Sequence, residues 1–130
     1  MAVAYLDASA AAKLILREPE SDALVTWLGG EPQLASSALI RVELIRLVKR
    51  EQPEQLKRAR RLLADFVMRE IDDEVLDRAG ELAPETLRAL DAIHLATASL
   101  LGPDLEAVVT YDRRMIEAAR VYGLPVASPE

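Results

Sequence analysis

Short apolar runs, each separated from the next by helical sequence and never joined by a hairpin turn, restrict this chain more than any other feature. VAYL (3–6), QLAS (33–36), VMREI (67–71) and AVVTY (107–111) read as strands, and LPVAS (124–128) as a last short one. The first helix is expected over SAAAKLILRE, with Ser9 as its cap and Pro19 ending it. SDALVTWLGG forms a second, closed by Gly29 and Gly30. SALIRVELIRLVKR (37–50) is a third, and Pro53 opens a fourth over 53–66 with Leu56, Ala59, Leu63 and Phe66 on one face. Asp72, Asp73 and Glu74 suit the start of a helix running to Leu82. Beyond Pro84 come helices over 87–101 and over DRRMIEAARVYG, which ends at Gly123. Strands linked only through helices pair in parallel, so the fold class is α/β, a small parallel sheet with helices on both faces. A length of 130 residues predicts a single domain over 1–130.

Helix 87–101 poses a chemical question. Between Ala89 and Leu101 its only polar residues are Asp91, His94, Thr97 and Ser99, a pattern expected of a buried helix. A buried carboxylate is costly unless it is paired, hydrogen-bonded or bound to metal. Asp91 is either a helix-start residue satisfied by backbone N–H groups or part of a site. Asp7 follows the first strand directly, and Asp112 follows AVVTY in the same way. Ligands of open parallel sheets bind beyond the carboxyl ends of the strands, so two such aspartates are worth more than one. Thr110 lies two residues before Asp112, and strand alternation would aim both side chains the same way. Glu43 sits at the edge of an apolar helix face, where its ordinary role would be an exposed pair with Arg46.

Asp7, Glu43, Asp91 and Asp112 thus place four carboxylates near the apolar parts of four elements. Brought together they would raise one another's pKa unless a cation neutralised them. The chain has no cysteine and only one histidine, His94, which excludes disulfides, thiolate metal sites and a histidine-rich zinc site. Oxygen-only ligation suits Mg²⁺ or Mn²⁺, ions that serve phosphodiester cleavage. The net charge of −6 argues against a nucleic-acid partner, but its distribution does not. Seven basic residues (Arg46, Lys49, Arg50, Lys57, Arg58, Arg60 and Arg61) stand against Glu51 and Glu54 over 46–61. They form either a solvated helix face or a phosphate-contacting surface. No apolar run approaches the roughly 20 residues that cross a bilayer, and the N-terminus lacks a signal-peptide pattern, so a cytoplasmic location is expected.

YLDASA, ALIRVELIRL, LRALDAIHLATA and VVTYDRRM, in this order, resemble the four motifs of the PIN-domain family. The likeness spans the chain, and LDAIHLATA is most similar to VapC-type toxins of bacterial toxin–antitoxin pairs. The resemblance implies a metal-dependent endoribonuclease in which Asp7, Glu43, Asp91 and Asp112 hold Mg²⁺ or Mn²⁺ and a metal-activated water attacks RNA. It also implies polar positions at Ser9 and Thr110 beside the site, a homodimer, and a cognate antitoxin. Arg46, Lys49, Arg50, Arg113 and Arg114 are the candidate RNA contacts. Leu16, Trp27, Leu28 and Leu62 are either core or antitoxin contacts. Arg113 and Arg114 stand where some members carry a further acid, so a complete second metal site is not implied. Met115 stands where phenylalanine is frequent, a change read as packing. His94 is read as a core histidine bonded locally rather than as a general base.

Two other readings compete. Aspartate-based phosphoryl transfer would make Asp7 the phosphate acceptor, but the second acid and the threonine of such loops are missing after LDAS. A PIN-like interaction module without catalysis is the alternative, and the presence of all four acids argues against it.

Overall fold

The structure is a computed structural model that describes residues 2–30 and 32–130. The chain runs β1 (Val3–Leu6), α1 (Ala8–Lys13), α2 (Ser21–Leu28), β2 (Gln33–Ser37), α3 (Ile40–Glu51), α4 (Leu56–Ala64), β3 (Val67–Arg69), α5 (Asp73–Glu81), α6 (Ala89–Ser99), β4 (Leu105–Val109), α7 (Arg113–Val121) and β5 (Val126–Ala127). All four strand pairings are parallel, in the order β3-β2-β1-β4-β5. From β1 the chain winds outward through β2 to β3, then returns across the sheet to β4 and β5. The winding reverses at β1, and such a reversal opens a crevice beyond the carboxyl ends of the two strands that flank it, here β1 and β4.

Strand alternation divides the core between two faces. Ala4 and Leu6, with Ala107 and Val109, pack against α1 to α4 through Ala11, Leu24, Ile40, Leu44 and Leu63. Tyr5 and Val108 point the other way, onto Ala98 of α6. Farther along that face, Leu95 of α6 meets Met115, Ala118 and Ala119 of α7. Met115 is thus a core residue, as the sequence suggested. Aliphatic side chains and alanines supply nearly all this packing, in keeping with an aromatic content of 4%.

Several boundaries differ from expectation, each for a local reason. The first helix spans only Ala8–Lys13 and is capped by Asp7, not Ser9. The third begins at Ile40, because Ser36 and Ser37 belong to β2; the Ser36 hydroxyl donates to the Leu6 carbonyl at 2.7 Å. Pro53 opens a single 3-10 turn, and the α-helix proper starts at Leu56. α2 ends where expected, with Gly29 in the left-handed conformation at φ 54°. α6 starts at Ala89, and its first turn is solvated: Leu90 is 49% exposed. It is therefore not buried on every side, and Asp91 lies at its rim. Leu16 and Leu28 are buried core residues rather than surface contacts, whereas Trp27 is exposed. No helix among the described residues is long and apolar enough to cross a membrane.

Leu44 is fully buried at the centre of the α3 side of the core. Its replacement by alanine is expected to cost about 3 kcal/mol in denaturant unfolding. Val121→Ala, at a side chain 71% exposed, should stay within about 0.5 kcal/mol of the parent.

Candidate active site

Asp7 is the most enclosed of the four acids. It leaves β1 at the sheet's carboxyl edge and turns the chain into α1, so its side chain caps the helix. Its Oδ1 accepts from the Ala10 N–H at 3.1 Å and from the Ser9 hydroxyl at 2.6 Å. Its Oδ2 accepts from the Thr110 hydroxyl at 2.5 Å. Ser9 Oγ in turn accepts from the Tyr111 N–H at 3.0 Å, and Thr110 Oγ1 from the Asp112 N–H at 3.2 Å. Ser9 is therefore not the helix cap; it binds the capping aspartate to the segment after β4. Burial pushes the Asp7 carboxyl above the usual carboxylate range, against the opposing pull of the Ser9, Thr110 and Ala10 hydrogen bonds.

Asp112 caps α7, with Oδ1 accepting from the Arg114 N–H at 2.9 Å. Because β4 ends at Val109, strand alternation does not govern the two residues beyond it. Thr110 is buried against Asp7 while Asp112 is exposed, contrary to the expectation that they point together. Asp91 is half-buried, and among the described residues its carboxylate accepts no hydrogen bond, so it is not satisfied by helix N–H groups. Burial first, then the charges of Asp112 and Asp7, raise its pKa, while His94 and Arg88 draw it down. Sequence reasoning did not single out Arg88; its position just before α6 was the available signal.

Glu43 does not pair with Arg46. Its Oε1 lies 2.6 Å from His94 Nε2, and His94 Nδ1 lies 2.6 Å from the Tyr5 hydroxyl. The Tyr5 oxygen also accepts from the Ser37 N–H at 3.1 Å. His94 is a core residue, as expected, but its partners are distant in sequence rather than local. Nothing in the local pattern identified Tyr5, whose apolar strand context disguised a polar anchor.

One arrangement unites the four acids. Asp7 and Asp112 are N-caps, and Glu43 and Asp91 lie in the first turns of their helices. Helix N-termini carry partial positive charge, which favours carboxylates there and moderates their mutual repulsion. Asp7, Asp91 and Asp112 are coupled electrostatically; Glu43 joins the group through His94. Among the described residues, no three acidic or histidine side chains stand close enough to grip a metal ion as they are placed. In kind, the donor set suits a hard divalent cation: all-oxygen ligands, with like charges that such an ion would relieve.

Arg46, Lys49, Arg50, Arg113 and Arg114 are all exposed. Arg50 pairs with Glu51 at 3.1 Å. Lys49 and Arg50 lie about 10 Å along α3 from Glu43 by helix rise. Arg58 is exposed and also structural: its guanidinium donates to the carbonyls of Leu14 and Ile15 at 3.2 and 3.4 Å, holding the segment after α1. A hollow of about 530 Å³ opens beside Ser9, bounded by Lys13, Leu47, Gln52 and the Tyr111 ring. Another, of about 740 Å³ between α3 and α4, contains none of the four acids.

Residues 4–121 match the family model for the PIN domain. The chain is 49% identical over 129 residues to Ribonuclease VapC46 of Mycobacterium tuberculosis, covering 99% of each. It is 45% identical to Ribonuclease VapC47 of the same species, covering 96% of each. A solved structure described as a toxin–antitoxin complex from Klebsiella pneumoniae superposes with a TM-score of 0.75 at 27% identity, covering 98% of both chains.

The raised pKa of Asp7 has a consequence for stability. Above that pKa the group is ionised in both folded and unfolded chains, and the penalty for burying its charge is fully present. The penalty shrinks as pH falls through the folded pKa and is gone below about 3.9, the unfolded value. In chelator-containing buffer, Asp7→Asn, which keeps a capping side chain, is expected to raise Tm near neutral pH. That gain should disappear on acidification; thermal melts across pH check it.

Proposed function

The chain belongs to the PIN-domain family, and from that premise we propose that it is a metal-dependent endoribonuclease, the toxin of a VapBC-type pair restrained by a cognate antitoxin. Its relatives bear the name ribonuclease, and a structural neighbour at 27% identity is a toxin–antitoxin complex. The observation that supports the reading is that the four acids all stand at helix starts, and that three of them, Asp7, Asp91 and Asp112, are coupled by charge beside the crevice at β1 and β4.

In this reading Asp7, Glu43, Asp91 and Asp112 hold Mg²⁺ or Mn²⁺. Such an ion, when bound, supplies polarisation of the phosphoryl oxygen and a water acidic enough to attack near neutral pH. The chain's own residues have separable duties. Asp7 is immobilised by Ser9, Thr110 and Ala10 and sets the position of the site. Asp91 and Asp112 present carboxylates toward solvent from the opposite helix layer. Arg113 and Arg114, beside Asp112, and Arg46, Lys49 and Arg50 on α3 attract the RNA backbone and offset the acidity of the site. The hollow beside Ser9 has room for a nucleotide, with the Tyr111 ring as one wall. A homodimer and an antitoxin contact including exposed Trp27 complete the proposal.

Cleavage of a labelled RNA mixture tests it. Cutting is expected with Mg²⁺ or Mn²⁺, none with EDTA, and a loss of at least about 100-fold in Asp7→Asn. Folded protein that neither cuts RNA nor binds Mn²⁺ would leave the inactive interaction module as the better reading. The double variant Arg113→Gln, Arg114→Gln should weaken RNA binding similarly across sequences and flatten its salt dependence by about two phosphate contacts. A change confined to one sequence would assign these arginines to base recognition instead.

A further inference from the structure

His94 is the only histidine in the chain, it is almost completely buried, and it joins two elements that otherwise belong to opposite faces of the sheet. Its own helix, α6, packs on the Tyr5 face; α3, which carries Glu43, packs on the Leu6 face. The Ser37 N–H donates to the Tyr5 oxygen at 3.1 Å. Burial holds that phenol far above its ordinary pKa, which keeps the proton in place. The hydroxyl lies 2.6 Å from His94 Nδ1. An ionised carboxylate only accepts, so His94 Nε2 is the donor to Glu43 Oε1 at 2.6 Å. Among the described residues, no other group hydrogen-bonds the Glu43 carboxylate.

We propose that Tyr5 and His94 form a positioning relay that fixes Glu43, occupying one carboxylate oxygen so that the other is presented to a divalent cation. The inference deepens the nuclease reading and rests on it. A ligating carboxylate held by a hydrogen-bonded neighbour has its orientation set, and loss of such neighbours commonly weakens metal affinity by about 10–100-fold. The relay also explains a buried tyrosine in a strand otherwise composed of aliphatic residues. Its hydroxyl is tied to the backbone at the end of β2, only a few residues before the helix that carries Glu43. His94 follows Asp91 by three residues, so the same stretch of α6 supplies one acid and orients another.

The test uses the full-length protein and its variants Tyr5→Phe, His94→Leu and His94→Gln, each checked for folding by circular dichroism. Mn²⁺ affinity is measured by calorimetry, and kcat and KM by RNA cleavage. His94→Leu should weaken Mn²⁺ binding about 10-fold or more and Tyr5→Phe by several-fold, both with lower kcat and unchanged KM for RNA. His94→Gln, whose amide can accept from Tyr5 and donate to Glu43, should restore most of the affinity. A purely structural histidine would lower stability while leaving the Mn²⁺ affinity of the folded protein intact, and that result would overturn the relay. A long-range ¹H–¹⁵N spectrum gives a second readout that needs no assignment, because there is one histidine. The Nε2–H tautomer is expected in the parent and a shift toward Nδ1–H in Tyr5→Phe; an Nδ1–H parent would also overturn the relay. Glu43→Gln and Asp7→Asn separate the two levels of inference. If they abolish Mn²⁺ binding while the relay variants do not, the relay fails and the nuclease reading stands. If they bind Mn²⁺ as the parent does, the carboxylate site fails and the relay with it.

Discussion

The Asp7 carboxyl, buried at the end of the central strand, is the constraint around which this molecule is arranged. Left alone, Asp7 would cost several kcal/mol or take up a proton. Three hydrogen bonds answer that cost, and they come from two separate parts of the chain: Ala10 and Ser9 in α1, and Thr110 after β4. Each donor is itself constrained. Ser9 accepts from the Tyr111 backbone, and Thr110 from that of Asp112. The reversal point of the sheet is therefore stitched together across β1 and β4, the two strands whose ends bound the crevice. Asp112 is located by the same network, because its backbone N–H is one of the stitches.

The alternation of apolar runs and helices sufficed for the architecture, because strands joined only through helices have no antiparallel option. The four acids were legible for a related reason: each adjoins an apolar element in a way that ordinary surface residues do not. Boundaries were less legible. The start of α3 was misplaced because Ser37 is a good cap residue in isolation, whereas here it extends β2, whose Ser36 bonds back to β1. Ser9 was misassigned as a cap because two capping side chains stand two residues apart, and local sequence does not reveal which one the strand delivers to the helix axis. The partners of His94 lay wholly outside local pattern. Tyr5 and Glu43 are 89 and 51 residues away in sequence, and only the pairing of β1 with β2 brings the two together.

Capping and a place in the proposed site are compatible roles for an acid. Asp7 and Asp112 are caps by geometry, and capping is what delivers them to the sheet edge with fixed backbones. Capping consumes acceptor capacity unequally, however. Asp7 has both oxygens engaged, whereas Asp112 uses one oxygen at the helix start and Asp91 uses neither. The site therefore grades from a rigid, enclosed acid to open ones at the rim. A cation drawn into such a set has most of its adjustment to gain from Asp91 and Asp112 and least from Asp7.

Glu43 is the exception to that gradation. Neither capped nor enclosed, it would swing freely from the first turn of α3 if its only constraint were the helix. Its orientation comes from the other side of the sheet, through a histidine whose ring is turned by a tyrosine bonded to the backbone of β2. A direct bond from a lysine or arginine would have introduced a full charge beside the acids and competed with a cation for the same oxygen. An imidazole Nε2–H donates one hydrogen bond and leaves the second oxygen available. For a carboxylate that must be held in place without being neutralised, that is the side chain the chemistry favours.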